Sequence, residues 1–166
     1  AQTSGYDSDG KMVWNDSMDW ASTLVYAGYD NWRLPTTLVP DNSCIDGYPD
    51  EPGSGYYCEG SELGNLAFIE GVYPGMETPF YNVQYGNYWS STEISSDFAY
   101  YFAMMQEGPL FQSGWQGGKP KMAGSTTYAW AVRDISVVPE PISSILFLVG
   151  GTFLASRCHI KRKKKA

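Results

Sequence analysis

The chain has 166 residues, 43% apolar and 17% charged, which suits one ordinary domain with a core plus a tail and excludes a wholly disordered chain. Aromatics make up 16%, and 18 Gly with 10 Pro favour strands and loops over a helical bundle. The net charge of −7 divides into an acidic body, with 17 Asp/Glu against 5 Lys/Arg over residues 1–138, and a basic end, with 6 Lys/Arg and no acid over residues 157–166.

Taken in chain order, Asn15 or Asp16 is placed to cap a helix running to about Ala27, with Trp14, Met18, Ala21 and Val25 on one face and Gly28 as its stop. Next, Trp32 and Leu34 should enter the core, and Arg33 between them needs an internal carboxylate or carbonyl. A clamp tying this loop to the core outweighs a sulfate- or carboxylate-binding role for Arg33. Pro40 to Glu62 is an insertion-like loop rich in Asp, Gly, Pro and Tyr, holding Cys44 and Cys58. Its acids include Asp46, Asp50 and Glu51, candidate ligands for Ca2+, with a solvated acidic loop as the favoured alternative.

Ser61 to Glu70 reads as a shorter helix, with Leu63, Leu66, Ala67 and Ile69 apolar and Gly64 weakening it. Strands are expected at Phe98 to Gln106, near Leu110 to Ser113, and at Thr127 to Ile135, where large and small residues alternate. Gly114 to Gly124 should be an exposed hairpin or loop. The acidic body argues against nucleic acid as a partner, because phosphate recognition rests on clustered cations. The single histidine, His159, lies in the tail, so Ser-His-Asp, Cys-His and His-ligated zinc chemistry are excluded from the body.

Ile142 to Ala155 are 14 residues without charge, followed by Arg157, Lys161, Arg162 and Lys163 to Lys165. As a helix the apolar stretch rises ~21 Å, short of a ~30 Å hydrocarbon core, a gap that flanking residues and snorkelling cations can close. We expect a transmembrane helix at about 142–156, a cytoplasmic tail at 157–166 and an exported body. Outside the cytoplasm, Cys44 and Cys58 should form a disulfide rather than a metal site. The chain begins at Ala1, without Met or a signal peptide, so it is expected to be a mature form or a fragment.

Val138-Pro139-Glu140-Pro141, the apolar span and the basic end together resemble the PEP-CTERM sorting signal. That resemblance implies export in a Gram-negative bacterium, transient anchoring in the inner membrane, processing by an exosortase, and delivery to the outer surface or exopolysaccharide matrix. The body carries Trp14, then Trp32-Arg33-Leu34-Pro35-Thr36, then Tyr88-Trp89-Ser90-Ser91-Thr92, then Trp130 and Arg133. This set resembles the Lcl C-terminal domain family, named after a collagen-like bacterial adhesin. The family usually has a further strand before the Trp14 region, which the sequence lacks.

The resemblance implies an α+β, C-type-lectin-like fold over residues 1–136, with two helices, a small twisted mostly antiparallel sheet and long loops, ahead of the sorting signal at 137–166. It also implies adhesion to polysaccharide and no catalytic activity. Candidate ligand contacts are Tyr48, Tyr56, Tyr57, Asn87, Trp115 and Gln116, since aromatic faces stack on sugar rings and amides bind hydroxyls. No cofactor beyond Ca2+ is expected. The alternatives are a structural matrix component without a ligand site and, less favoured, a two-carboxylate glycoside hydrolase.

Overall fold

The computed structural model describes residues 9–75, 80, 82–104, 114–122 and 126–134. The chain divides after Asp134 into two units, and the described residues belong to the first. The expected strand near Leu110–Ser113, the motif Val138–Pro141, the span at about 142–156 and the basic tail lie outside the described residues. Among the described residues no helix is long and apolar enough to cross a membrane.

The body is α+β. Two helices, α1 (Trp14–Thr23) and α2 (Glu62–Phe68), accompany a five-stranded sheet. Its strands are β1 (Lys11–Met12), β2 (Gly86–Glu93), β3 (Phe98–Met104), β4 (Gln116–Pro120) and β5 (Thr127–Tyr128), in the order β1-β5-β2-β3-β4. The β1–β5, β2–β3 and β3–β4 pairs are antiparallel, whereas β2 meets β5 in parallel at Tyr88 and Tyr128. Strand alternation puts Tyr88 and Trp89 on opposite faces, and both faces are covered. Trp89 and Ala99 pack with Trp14, Trp20 and Ala21 of α1 and with Leu34. Tyr88, Phe102 and Met104 pack with Leu63 and Ala67 of α2.

The first helix differs from expectation at both ends. It starts at Trp14 with Val13 as its cap, and neither Asn15 nor Asp16 caps it. Burial decides this end, because the Trp14 indole N–H must reach the Ser90 carbonyl, 2.8 Å away. At the other end, the Ser22 and Thr23 hydroxyls donate back to the Asp19 carbonyl, offering the last turn a competing arrangement. Tyr26 and Tyr29 then exchange two backbone bonds across Ala27 and Gly28, both at positive φ (53° and 83°), as a two-residue hairpin turn requires. Val25, expected on the buried face, is 74% exposed.

Ahead of Trp14, Lys11–Met12 pairs with β5. Only Thr127 and Tyr128 of the expected 127–135 strand join the ladder, though Val132 bridges to Arg33. Gly114–Gly124, read as an exposed hairpin or loop, contains β4, the edge strand against β3. Gly64, which weakens α2 by propensity, is required by packing: a Cβ there would lie 1.8 Å from the Cys58 carbonyl oxygen.

Cys44 and Cys58 form a disulfide. The loop they close is further tied to the sheet. Tyr100 donates its hydroxyl to the Pro52 carbonyl at 2.6 Å, and Gly55 and Gln116 exchange backbone bonds at 2.9 and 2.8 Å. Replacing both cysteines by serine in the full chain is expected to lower the unfolding free energy by about 3 kcal/mol on the chain-entropy view of a loop this long. Urea unfolding of the variant beside the oxidised parent measures it, with far-UV circular dichroism showing retained secondary structure.

Candidate functional site

The resemblance-bearing residues form one interlocked set. Trp14 donates to the Ser90 carbonyl, and Trp89 donates at 2.9 Å to the Met12 carbonyl. Pro35 offers its carbonyl to the Ser91 backbone N–H (2.8 Å) and the Ser90 hydroxyl (3.1 Å). Thr37 and the Thr92 hydroxyl bond reciprocally at 2.9 and 3.1 Å. Trp32 donates to the Tyr29 carbonyl, Trp130 packs edge-on against Tyr88, and the Arg133 guanidinium lies 3.5 Å over the Tyr29 ring.

Arg33 is held by two carboxylates. Its Nη1 and Nη2 reach Glu62 at 2.7 and 2.9 Å, and Nη2 also pairs with Asp134. Glu62 in turn accepts from the Thr36 backbone N–H at 2.6 Å and from the Thr36 hydroxyl. The Arg33 hydrogen bonds hold the Glu62 carboxyl down at about 2, against the desolvation that would raise it. Asp134 is lowered for the same reason, and the Arg33 guanidinium is raised. The network thus joins the Trp32–Thr36 segment, the start of α2 and the end of the described body.

Since Glu62 titrates lower in the folded chain than unfolded, its contribution is present above about pH 4.5 and is lost as pH falls toward about 2. Glu62 is partly exposed, so screening keeps this near 1 kcal/mol. Urea unfolding of wild type and Glu62→Gln across that window is expected to show a stability gap that closes on the acid side by about that amount.

The candidate ligand residues separate into two sets. Tyr48, Tyr56 and Trp115 come together: both tyrosines meet the Trp115 indole edge-on, with ring centroids 5.3 and 4.8 Å away. Tyr48 is 62% exposed, and Tyr56 and Trp115 are half-buried, so the cluster is open on one side. The other three lie elsewhere. Tyr57 packs on Phe68, and Asn87 sits on β2 opposite Ala103. Gln116 is buried and donates from Nε2 to the Gly53 carbonyl at 2.6 Å, which makes it a tie between loop and strand.

Two residues complete the ring cluster that were not assigned to it from sequence. Tyr101 of β3, opposite Gly117, has the Trp115 indole N–H turned toward its hydroxyl. Burial raises the Tyr101 phenol, and the nearby Glu51 carboxylate adds to that rise. Glu51 is itself raised by desolvation, partly offset by the Gly118 backbone N–H, and its Oε1 is sealed from solvent without a hydrogen bond.

The bare edge at Gly117 and Gly118 makes room for this arrangement. A Cβ at Gly117 would lie 2.6 Å from Trp115 Nε1, and one at Gly118 would lie 2.6 Å from Glu51 Oε1. The aromatic-rich run Phe98 to Met104 around Tyr101 was a usable strand signal. The two glycines were not, because in sequence they mark a loop.

For a metal, the described residues bring together one group of three donors, Asp41, Cys44 and Cys58. Its sulfurs are spent on the disulfide, and Asp41 accepts from the Ser43 backbone N–H and hydroxyl and from the Ser61 hydroxyl. The acids considered for Ca2+, namely Asp46, Asp50 and Glu51, do not form such a group, and Glu51 faces Gly118. Comparison with models of protein families, with curated proteins and with solved structures gave no match.

Proposed function

We propose that this chain is an exported envelope or matrix protein whose body binds polysaccharide and whose C-terminus is processed by an exosortase. The observation that carries the binding half is the open cluster in which Tyr48 and Tyr56, on the disulfide-closed loop, meet Trp115 just ahead of the edge strand to which that loop is stapled. Rings held this way offer flat apolar area at little cost in side-chain entropy, the property that stacking on a sugar face uses. Their fixation by the Cys44–Cys58 bridge and by the Gln116–Gly53 bond reduces what binding must order.

The sorting half rests on the sequence order Val138-Pro139-Glu140-Pro141, 14 uncharged residues and the basic end. A disulfide in the body fits an oxidising compartment such as the cell surface. The architecture, with two helices, a small mixed sheet and a long loop, suits the C-type-lectin-like fold implied by the resemblance to the Lcl C-terminal domain. Localisation at the outer surface or in the matrix of a Gram-negative bacterium follows from both halves, with the inner membrane and the exosortase as transient partners.

Trp115→Ala is expected to weaken polysaccharide binding about tenfold or more. Its thermal midpoint should stay within about 3 °C of the parent, because the ring is half-exposed. Affinity electrophoresis through polysaccharide-containing gels measures the first, and calorimetry the second. For the sorting half, intact-mass spectrometry of released protein should show residues 142–166 removed.

A further inference from the structure

We infer that the Tyr48–Tyr56–Trp115 face takes uncharged, hydroxyl-rich polysaccharide and discriminates against sulfated or uronate chains. This inference rests on the polysaccharide-binding reading and adds the ligand class. It follows from where the body's charges are. Residues 1–134 contain five cations, Lys11, Arg33, Lys119, Lys121 and Arg133, and all five are described.

Each cation is already engaged. Arg33 is bound by Glu62 and Asp134. Lys121 pairs with Glu93 at 2.7 Å, donates to the Ser95 and Ser96 carbonyls, and lies 4.4 Å from the Trp14 ring centroid. Lys119 donates to the Thr127 hydroxyl at 2.9 Å and sits 5.8 Å over Trp89. Lys11 is 3.9 Å from Asp9 and 5.1 Å over Tyr128, and Arg133 is stacked on Tyr29. Recognition of sulfate or carboxylate needs a cation or a fork of donors free to face it. Recruiting Arg33, Lys119 or Lys121 would break hydrogen bonds they already make, and Lys11 and Arg133 are placed over Tyr128 and Tyr29, away from the Tyr48–Tyr56–Trp115 contacts.

A carboxylate also stands at this edge of the sheet. Glu51 stands against Gly118, one residue from the glycine on which the Trp115 indole rests. Its field reaches the Tyr101 hydroxyl, where it opposes ionisation of the phenol. A negatively charged ligand group brought close to the Tyr101 hydroxyl would add to that repulsion. A neutral hydroxyl meets none, and the ring faces remain available to the apolar side of a pyranose.

The test uses the full chain in detergent, in parent and Trp115→Ala forms, against uncharged glucan, mannan and galactan and against heparin and polygalacturonate. The basic end at residues 157–166 will hold polyanions by itself, so only binding that Trp115→Ala removes is scored. The expected result is Trp115-dependent binding of at least one uncharged polysaccharide, weakened about tenfold or more in the variant, with polyanion binding equal in both forms. Trp115-dependent binding of heparin or polygalacturonate in place of the uncharged chains would overturn the ligand class and leave the polysaccharide-binding reading standing. Equal behaviour of both forms on every probe would overturn that reading as well.

Discussion

Two of the three buried indoles, Trp14 and Trp89, reach backbone acceptors, and these two bonds tie the first helix to the sheet. Trp14 at the start of α1 donates to Ser90 in β2, while Trp89 in β2 donates to Met12 in β1. The two bonds run in opposite senses between the same pair of chain segments, almost 80 residues apart in sequence. Each bond spares a buried donor a desolvation cost of about 1–3 kcal/mol, a cost that Trp20 Nε1, without a partner among the described residues, does carry, and together they fix the entry of α1 against the sheet. With that entry set, the Pro35 carbonyl and Thr37 lie alongside Ser90, Ser91 and Thr92, and Arg33 comes within reach of the first residue of α2.

Both helices and the strand β3 were legible because their signals are local. Leu63, Leu66 and Ala67 repeat at helical spacing, and Phe98 to Met104 is dense in aromatics. Their ends were less legible, for reasons that lie in tertiary contacts. The start of α1 is set by a bond to Ser90, and its end by Ser22, Thr23 and the turn at Ala27–Gly28. The edge strand β4 was hidden because Gln116-Gly117-Gly118-Lys119-Pro120 has almost no strand propensity. It is held by pairing with β3 on one side and by Gly55 at Gln116 on the other.

The same distinction runs through the ring cluster. Tyr48, Tyr56 and Trp115 were visible as loop aromatics, and the structure gathers them. Gln116 had the right chemistry for a hydroxyl ligand but is consumed inside the protein, and Tyr57 packs on Phe68 instead of joining its neighbour in sequence. Glu51 was considered as an oxygen donor to a cation, whereas its surroundings are the edge glycines and the Tyr101 phenol. Residue type identified which side chains had suitable chemistry, and only the fold determined which of them shared a surface.

The disulfide has one further consequence. The Cα atoms of Cys44 and Cys58 are 4.2 Å apart, so the thirteen residues between them leave and re-enter the body at nearly one point. The sheet meets that segment through a bare, glycine-built rim, with few side chains of its own to clash. A different segment grafted at this doorway would have to restore the carbonyls of Gly53 and Pro52 that buried Gln116 and Tyr100 use. Within that condition the change stays inside one closed ring of chain, and the Trp14 and Trp89 bonds, made outside it, are left as they are.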